Sequence, residues 1–284
     1  STFINIMINI IYAVGLNLIL GVAGQFSLGH AGFIAIGSYS GAILGKMMNG
    51  LPGLFAGMAV GVVISVIVAF LVGLPTLRLK GDYLAIATLG VAEIIRVAVT
   101  NMKITNGAAG ISGVPLTNTW TITYIALVLT TILILNYTFS SAGRATYAVL
   151  QDEIAAESMG VQVTKYKILA FVLGAATASI GGTLSATTLG AVTPSDFTFM
   201  KSIDVLIIVV FGGIGSFTGS FVAAVLLGII NLVLQPFGQL RMIIYAVALI
   251  LIMIFRPGGL LGTWEFKLGD FKFSKKKETK ESGK

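Results

Sequence analysis

The sequence predicts an all-α polytopic membrane protein with about nine helices that cross, or half cross, a bilayer. Two observations support this prediction: 56% of the 284 residues are apolar and only 10% are charged. The mean hydropathy of +0.97 agrees with both. A soluble domain carries about 25% charged residues, because its surface must be hydrated. A chain with so few charges must therefore turn its apolar surface toward lipid or other protein.

Nine apolar segments are long enough to enter a hydrocarbon layer about 30 Å thick, which a helix of roughly 20 residues spans. The continuous segments are 3–23, 54–74, Trp120–Phe139, 168–189, 221–234 and 241–255. Three further segments are interrupted by Gly, Ser, Thr or charged residues, namely 26–45, Asp82–Asn101 and 203–216. These interruptions leave a count of eight to ten helices, and nine is favoured.

Charged residues divide the chain into a transmembrane domain, 1–263, and a basic tail, 264–284. The tail holds seven lysines and four acidic residues, a composition typical of disorder. If the tail lies inside, thirteen Lys and Arg residues fall in inside segments and four in outside loops. The positive-inside rule then places the amino terminus outside and the carboxyl terminus inside.

The net charge of +7 does not predict a nucleic-acid partner. No stripe of basic and aromatic residues that could form such a binding face is found outside the tail. Basic residues beside apolar segments instead favour orientation in the bilayer and a weak attraction to anionic lipid.

The connection 140–166 is the longest polar segment between two apolar ones. It is charged and alanine-rich; Ser140 or Ser141 is suited to capping the start of a helix, and Gly160 to ending one. We expect a helix of about four turns on the inner side of the membrane. An ordinary solvated surface loop is an alternative of equal weight.

Two interrupted segments contain candidates for a translocation path. Gln25, Ser27 and His30 follow the first apolar segment, and a second glycine-rich break contains Gly212, Gly213 and Gly215. Paired, interrupted hydrophobic segments are typical of transporters with two related halves, and backbone exposed at such breaks could meet a polar solute. The alternatives are a hydrogen-bonded structural histidine at position 30 and glycines that serve close helix packing.

Glu93 and Arg96 lie three residues apart in an apolar segment and would share one face of a helix. A charge inside the bilayer costs at least about 2.5–3.5 kcal/mol, so the pair must face protein or water. The two residues could belong to an ion or proton path, or could lock two helices together.

The residues for several chemistries are missing from the sequence. There is no cysteine and only one histidine, so no thiolate or multi-histidine metal site is expected. The glycine-rich stretch 212–220 has no Lys before a Ser or Thr, and neither HExxH nor GxSxG occurs. We therefore expect no cofactor, no metal and no enzyme activity of the chain alone.

Eight stretches, in order along the chain, resemble one known family. They are 24–33 (GQFSLGHAGF) with 37–39, 78–86 (RLKGDYLAI), 88–90 with Glu93 and Arg96, 105–107 with Gly110, 143–145, 152–156 (DEIAA) with Gly160, 212–216 (GGIGS) and 255–260 (FRPGGL). The sequence is similar here to the membrane permeases, of LivM type, of ATP-binding-cassette importers for branched-chain amino acids. The resemblance covers nearly the whole chain.

The resemblance implies an all-helical permease in the cytoplasmic (inner) membrane of a bacterium. It implies four kinds of partner: a homologous second permease, two ATP-binding subunits, an extracytoplasmic amino-acid-binding protein and the lipid bilayer. The connection 140–166 would be the coupling loop seated on an ATP-binding subunit. Glu153, Ala155, Ala156 and Gly160 match the family's glutamate–alanine–alanine–glycine pattern, although Ile154 separates Glu153 from the alanines.

Other functions remain open at this stage. The same assembly type could carry urea, short amides or another amino acid, since the binding protein usually sets the solute. An ion-coupled secondary transporter or channel could use Glu93 and Arg96 as a charged relay, and transport by the isolated chain would favour it. A membrane-embedded enzyme is the weakest alternative, because no nucleophile and base pair is visible.

Overall fold

The computed structural model describes residues 2–48, 50–76, 79, 81–234, 247, 250, 258–260 and 262. Most of the predicted segment 241–255, the residues Arg78 and Lys80, and the tail 264–284 lie outside the described residues. The other eight predicted apolar segments each correspond to a helix.

Ten α-helices make up most of the described chain. They are α1 (Thr2–Asn17, continued by a π-helical turn, Leu18–Val22), α2 (His30–Met47), α3 (Leu51–Thr76), α4 (Asp82–Asn101), α5 (Trp120–Phe139), α6 (Ser141–Gln151), α7 (Glu153–Ser158), α8 (Val163–Leu189), α9 (Phe199–Gly212) and α10 (Phe217–Leu234). Five of these, α1 with its π turn, α3, α4, α5 and α8, are long and apolar enough to cross a membrane. Helices α9 and α10 form a pair bent by 118° that would make a sixth span. The predicted multi-pass helical membrane protein is confirmed.

Helix α2 lies at the centre of the bundle, between α3 and α8. Fourteen of its 18 residues are buried. A Cβ at Gly37 would overlap the carbonyl oxygen of Ser179, so the backbones of α2 and α8 touch there. Thr183 Oγ1 in turn donates a hydrogen bond to Gly37 O at 2.9 Å. Such close backbone contact is how helices associate where lipid removes the hydrophobic driving force.

The two ends of the bundle differ. At one end two short antiparallel strands, β1 (Ile111–Ser112) and β2 (Ala191–Val192), pair Ile111 with Val192. At the opposite end, which we call the α6–α7 end, α1 finishes beside α6: a Cβ on Gly24 would contact the side chain of Leu150. Helices α3, α4 and α5 form the outer wall and expose many apolar side chains.

Several predicted segment boundaries need correction. The segment predicted over 26–45 is helical only from His30, because the non-helical stretch 24–29 before it is held by contacts with distant helices. The segment predicted over 203–216 begins earlier, at Phe199, and ends at Gly212, where the chain turns into α10. The segments predicted over 168–189 and 221–234 also begin earlier, at residues 163 and 217. These earlier starts arise because a helix continues into polar residues beyond the apolar run that marks it.

Candidate functional site

The polar connection 140–166 forms two helices rather than the predicted single helix of four turns, which is therefore wrong in this respect. Ser140 caps the first, since its Oγ accepts from the backbone N–H of Gly143 at 3.2 Å. Asp152 divides them: its backbone is extended, and its Oδ1 accepts from Ile154 N at 2.9 Å and Ala155 N at 3.0 Å. A short carboxylate side chain favours this capping position over a helix interior.

Helix α7 contains three of the four residues that match the coupling pattern. Ala156 is buried, whereas Ala155 is exposed. Gly160 follows the end of the helix with φ +84°, a left-handed conformation that glycine adopts without strain. Its N–H donates to Glu157 O at 2.9 Å. The prediction that Gly160 ends the helix is confirmed.

An ion pair joins α7 to the start of α8. Glu153 Oε1 lies 3.0 Å from Lys167 Nζ. The same residue, Lys167, accepts a hydrogen bond at its carbonyl oxygen from Gln25 Nε2, at 2.9 Å. The first turn of α8 therefore contacts both the α6–α7 connection and the non-helical stretch that precedes α2. Sequence reasoning missed Lys167, because no local pattern links residues 142 positions apart.

Large apolar side chains are exposed on this otherwise polar connection. Ile154 is 76% exposed and Met159 is 85% exposed, at the two ends of α7, and Tyr147 on α6 is also exposed. Large apolar side chains this exposed beside charged residues are available for contact with another protein. They were not among the predicted site residues, although an apolar residue within a charged stretch was the available signal.

The non-helical stretch before α2 is held by hydrogen bonds to two other helices, α4 and α8. Gln25 and Ser27, two of the predicted path candidates, are buried. The backbone N–H of Leu28 donates to Thr88 Oγ1 of α4 at 3.0 Å, and Ser27 Oγ accepts from Gly29 N at 3.3 Å. Backbone without helical hydrogen bonds is tolerated at membrane depth only inside protein or beside water.

Helices α2 and α9 both begin at the middle of the bundle. The His30 ring packs edge-on against Tyr12, with centroids 6.5 Å apart, and Tyr12 is the middle residue of the span Thr2–Val22. Lys201 Nζ lies 5.7 Å from the centroid of the Tyr12 ring. Ala31 N, in the first turn of α2, donates to Ser202 Oγ of α9 at 2.9 Å. The amino-terminal turns of α2 and α9 thus meet beside the middle of α1.

The glycine-rich break 212–216 turns α9 into α10. Gly213 has φ +115°, which a residue with a side chain rarely adopts. Asn17, fully buried in α1, holds the turn: its Oδ1 accepts from Gly215 N at 2.8 Å and its Nδ2 donates to Ser216 O at 2.8 Å. Asn17 was not predicted, although a lone asparagine inside an apolar segment marks a buried hydrogen-bonding partner.

Glu93 and Arg96 form an ion pair within α4. Arg96 Nε donates to Glu93 Oε2 at 2.9 Å, and Arg96 Nη2 also bonds the carboxylate. The pair does not join α4 to another described helix, and its side chains are 47% (Glu93) and 29% (Arg96) exposed.

The predicted path residues therefore fall into three places. Gln25, Ser27 and His30 lie together in the stretch that leads into α2. Gly212, Gly213 and Gly215 lie at the turn beside α1, and Glu93 with Arg96 lies on the outer wall. Within the described residues, no group of three or more His, Cys, Asp or Glu side chains could hold a metal ion.

These features define a class of protein: a multi-pass helical membrane protein with interrupted helices in its core and a polar two-helix connection at one end. Residues 1–255 match the family model described as the permease component of branched-chain amino acid transport systems. The chain belongs to this permease family, and the resemblance identified in the sequence is confirmed.

Curated relatives agree with the family model. The chain is 37% identical to the high-affinity branched-chain amino acid transport system permease protein LivM of Salmonella typhimurium, and 36% identical to LivM of Escherichia coli K12. Each alignment covers 90% of this chain and 68% of the relative. The permease protein LivH of Escherichia coli K12 is 25% identical, over 88% of this chain and 90% of that protein. No solved structure matches the chain.

Proposed function

We propose that this chain is a membrane-spanning subunit of an ATP-binding-cassette importer that carries leucine, isoleucine and valine across the cytoplasmic (inner) membrane of a bacterium. Membership of the permease family is the observation that most supports it. In this proposal an extracytoplasmic binding protein delivers the amino acid, a homologous second permease completes the pore, and two ATP-binding subunits supply the energy.

The α6–α7 connection supports the division of labour between subunits. The sequence has no phosphate-binding loop, so in this proposal the energy for uphill transport comes from ATP bound by another protein. Helix α7 presents Ile154 and Met159 to solvent, where an ATP-binding subunit could cover them. Its ion pair with Lys167 then connects that docking surface to the start of α8.

A movement of α7 can be transmitted to the core of the bundle through Lys167. Lys167 contacts Glu153 through its side chain and Gln25 through its backbone, so a displacement of α7 acts on the stretch before α2. A non-helical stretch changes its dihedral angles without breaking a helical hydrogen-bond ladder. ATP would favour one of two access states only by stabilising that state more than the other.

The same stretch is the proposed site of solute passage. Transporters bind their solutes near the bilayer midplane, where amino-terminal ends of interrupted helices stabilise negative groups of the solute. Helices α2 and α9 begin at mid-depth, next to His30 and Lys201. In the proposal, Gln25, Ser27 and His30 line one side of the path. Gly212, Gly213 and Gly215 form the turn that shapes its inner end.

A substitution at the tip of α7 tests the coupling. In the assembled transporter reconstituted into vesicles, Ile154→Glu should lower ATP-driven leucine uptake at least tenfold. The reason is that a charge replaces an apolar contact with the ATP-binding subunit, while Ile154 itself packs against little of this chain. Glu157→Gln, a change on the same helix that removes a charge without adding one, is the matched control and should keep most of the uptake. Equal uptake by both variants would contradict the proposed docking.

A further inference from the structure

One face of α4 carries an unusual combination of side chains. Tyr83, Ile86, Gly90, Glu93, Ile94 and Val97 recur every three or four residues, so they form a single stripe, which we call the α4 stripe. Its large members are exposed, with Ile94 at 68%. The opposite face of α4, by contrast, is buried against the rest of the bundle at Leu84, Thr88 and Ala92.

Lipid is a poor cover for the centre of the α4 stripe. Helix α4 is long and apolar enough to span a membrane, and Glu93 and Arg96 are the twelfth and fifteenth of its 20 residues. Ionised side chains at such a position face protein or water, because hydrocarbon offers them no hydrogen bonds. Their mutual ion pair neutralises charge but still leaves half of the Glu93 side chain exposed.

The stripe also has room for another helix. Among the described residues, no atom lies within 4 Å of the place where a Cβ on Gly90 would stand. Gly37 and Gly41 in α2 show what glycines in helices do elsewhere in this chain, since each is covered by the backbone of a neighbouring helix. A glycine on a membrane-facing stripe allows the same close approach to a helix from outside.

We propose that the α4 stripe is the surface that docks the second permease, with Gly90 at the closest helix contact and the Glu93–Arg96 pair inside the interface. This inference rests on the proposed function, which includes such a partner. The chain is similar to two permease proteins of the same transport-system name, LivM at 37% identity and LivH at 25%. A partner with a small residue opposite Gly90 and a hydrogen-bonding side chain opposite Glu93 fits the stripe.

Site-specific photo-crosslinking tests the docking surface directly. A photoreactive benzoylphenylalanine is placed at Ile94 in the transporter expressed with its ATP-binding subunits and sister permease, in its native membrane. The control site is Ile132 of α5, which is also half exposed on the outer wall. We expect a covalent adduct with the sister permease, identified by mass spectrometry, from position 94 at least fivefold above that from position 132.

A second pair of variants tests the contact without a probe. A Cβ at position 90 would meet nothing in the described chain outside its own part of α4, so Gly90→Leu should leave the chain's thermal unfolding in detergent unchanged. In the interface it would separate two helices, and we expect at least a tenfold loss of sister permease on co-purification. Ala59→Leu, at an exposed position of α3, is the matched control and should leave co-purification unchanged.

The outcomes separate this inference from the function on which it rests. If the wild-type chain copurifies with no other permease, the proposed function and the docking surface both fail. If it copurifies normally but position 94 captures only lipid, a second copy of this chain or the chain's own segment 235–263, only the docking surface fails. Unimpaired pairing of Gly90→Leu would also overturn it.

Discussion

Asn17 shows how a single polar side chain fixes a helix break inside an apolar bundle. It is fully buried, and its amide accepts from Gly215 N and donates to Ser216 O and Ser220 Oγ. Ser216 O also accepts from the backbone N–H and the Oγ of Ser220, so Asn17 adds to a network that is already partly bonded. A hydrogen bond of this kind contributes about 0.5–1.5 kcal/mol. The turn between α9 and α10 therefore depends on a residue about 200 positions away.

Asn17→Ala should destabilise the protein more than replacement of an exposed asparagine by alanine. We expect it to lower the midpoint of thermal unfolding in detergent by several degrees, because it removes the three hydrogen bonds that α1 makes to the 213–220 turn. Asn101→Ala is the matched control: Asn101 is exposed and bonds only within α4, so its replacement should cost less than about 0.5 kcal/mol. Equal midpoints for the two variants would show that Asn17 does not hold the turn.

At the scale of single elements, the joint between α7 and α8 is the structure's main new feature. The Glu153 and Lys167 side chains are 33% and 13% exposed, so their ion pair is better shielded than one on an open surface. Exposed pairs contribute about 0.2–1 kcal/mol, and this one should lie near the upper end of that range.

Exchanging the two charges tests whether the pair couples the elements. In the reconstituted transporter, Glu153→Lys and Lys167→Glu should each lower leucine uptake per ATP hydrolysed, since like charges would then face each other across the joint. The double variant restores opposite charges and should recover at least half of the wild-type ratio. A double variant as impaired as the sum of the single variants would show that the two sites act independently.

Element boundaries were predictable where local chemistry marks them. Helices α4 and α5 have the predicted bounds; Gly81 precedes the first, and the Thr119 side chain caps the second. The late start of α2 was not predictable, because the stretch before it is held by Thr88 and Lys167 from distant helices. Asp152 divides the predicted long helix, because its side chain bonds the backbone N–H groups that follow it and so starts a new helix. A pattern of apolar residues does not indicate such a cap.

Part of the candidate site was predictable as single residues, but its arrangement was not. The sequence identified the α7 residues, the stretch that leads into α2 and the Glu93–Arg96 pair. It did not show that Lys167 links the first two, or that Tyr12 brings His30 and Lys201 to mid-depth. These contacts join residues far apart in the chain, so they follow from how the helices pack.

At the scale of the whole molecule, the proposed role of the chain is that of a passive path. Its core holds two helices whose amino-terminal turns meet beside the middle of α1, and a polar connection at one end reaches that core through α8. In this view the chain offers the path, while the ATP-binding subunits supply the free energy that makes transport uphill.

Leucine uptake into vesicles that contain defined subunits tests whether the chain is a passive path. Vesicles with both permeases, both ATP-binding subunits and external binding protein should accumulate leucine above its outside concentration only when ATP is enclosed. Vesicles with this chain alone should show no accumulation, with or without an imposed proton or sodium gradient. Accumulation by the chain alone under either gradient would contradict the account and would favour an ion-coupled transporter.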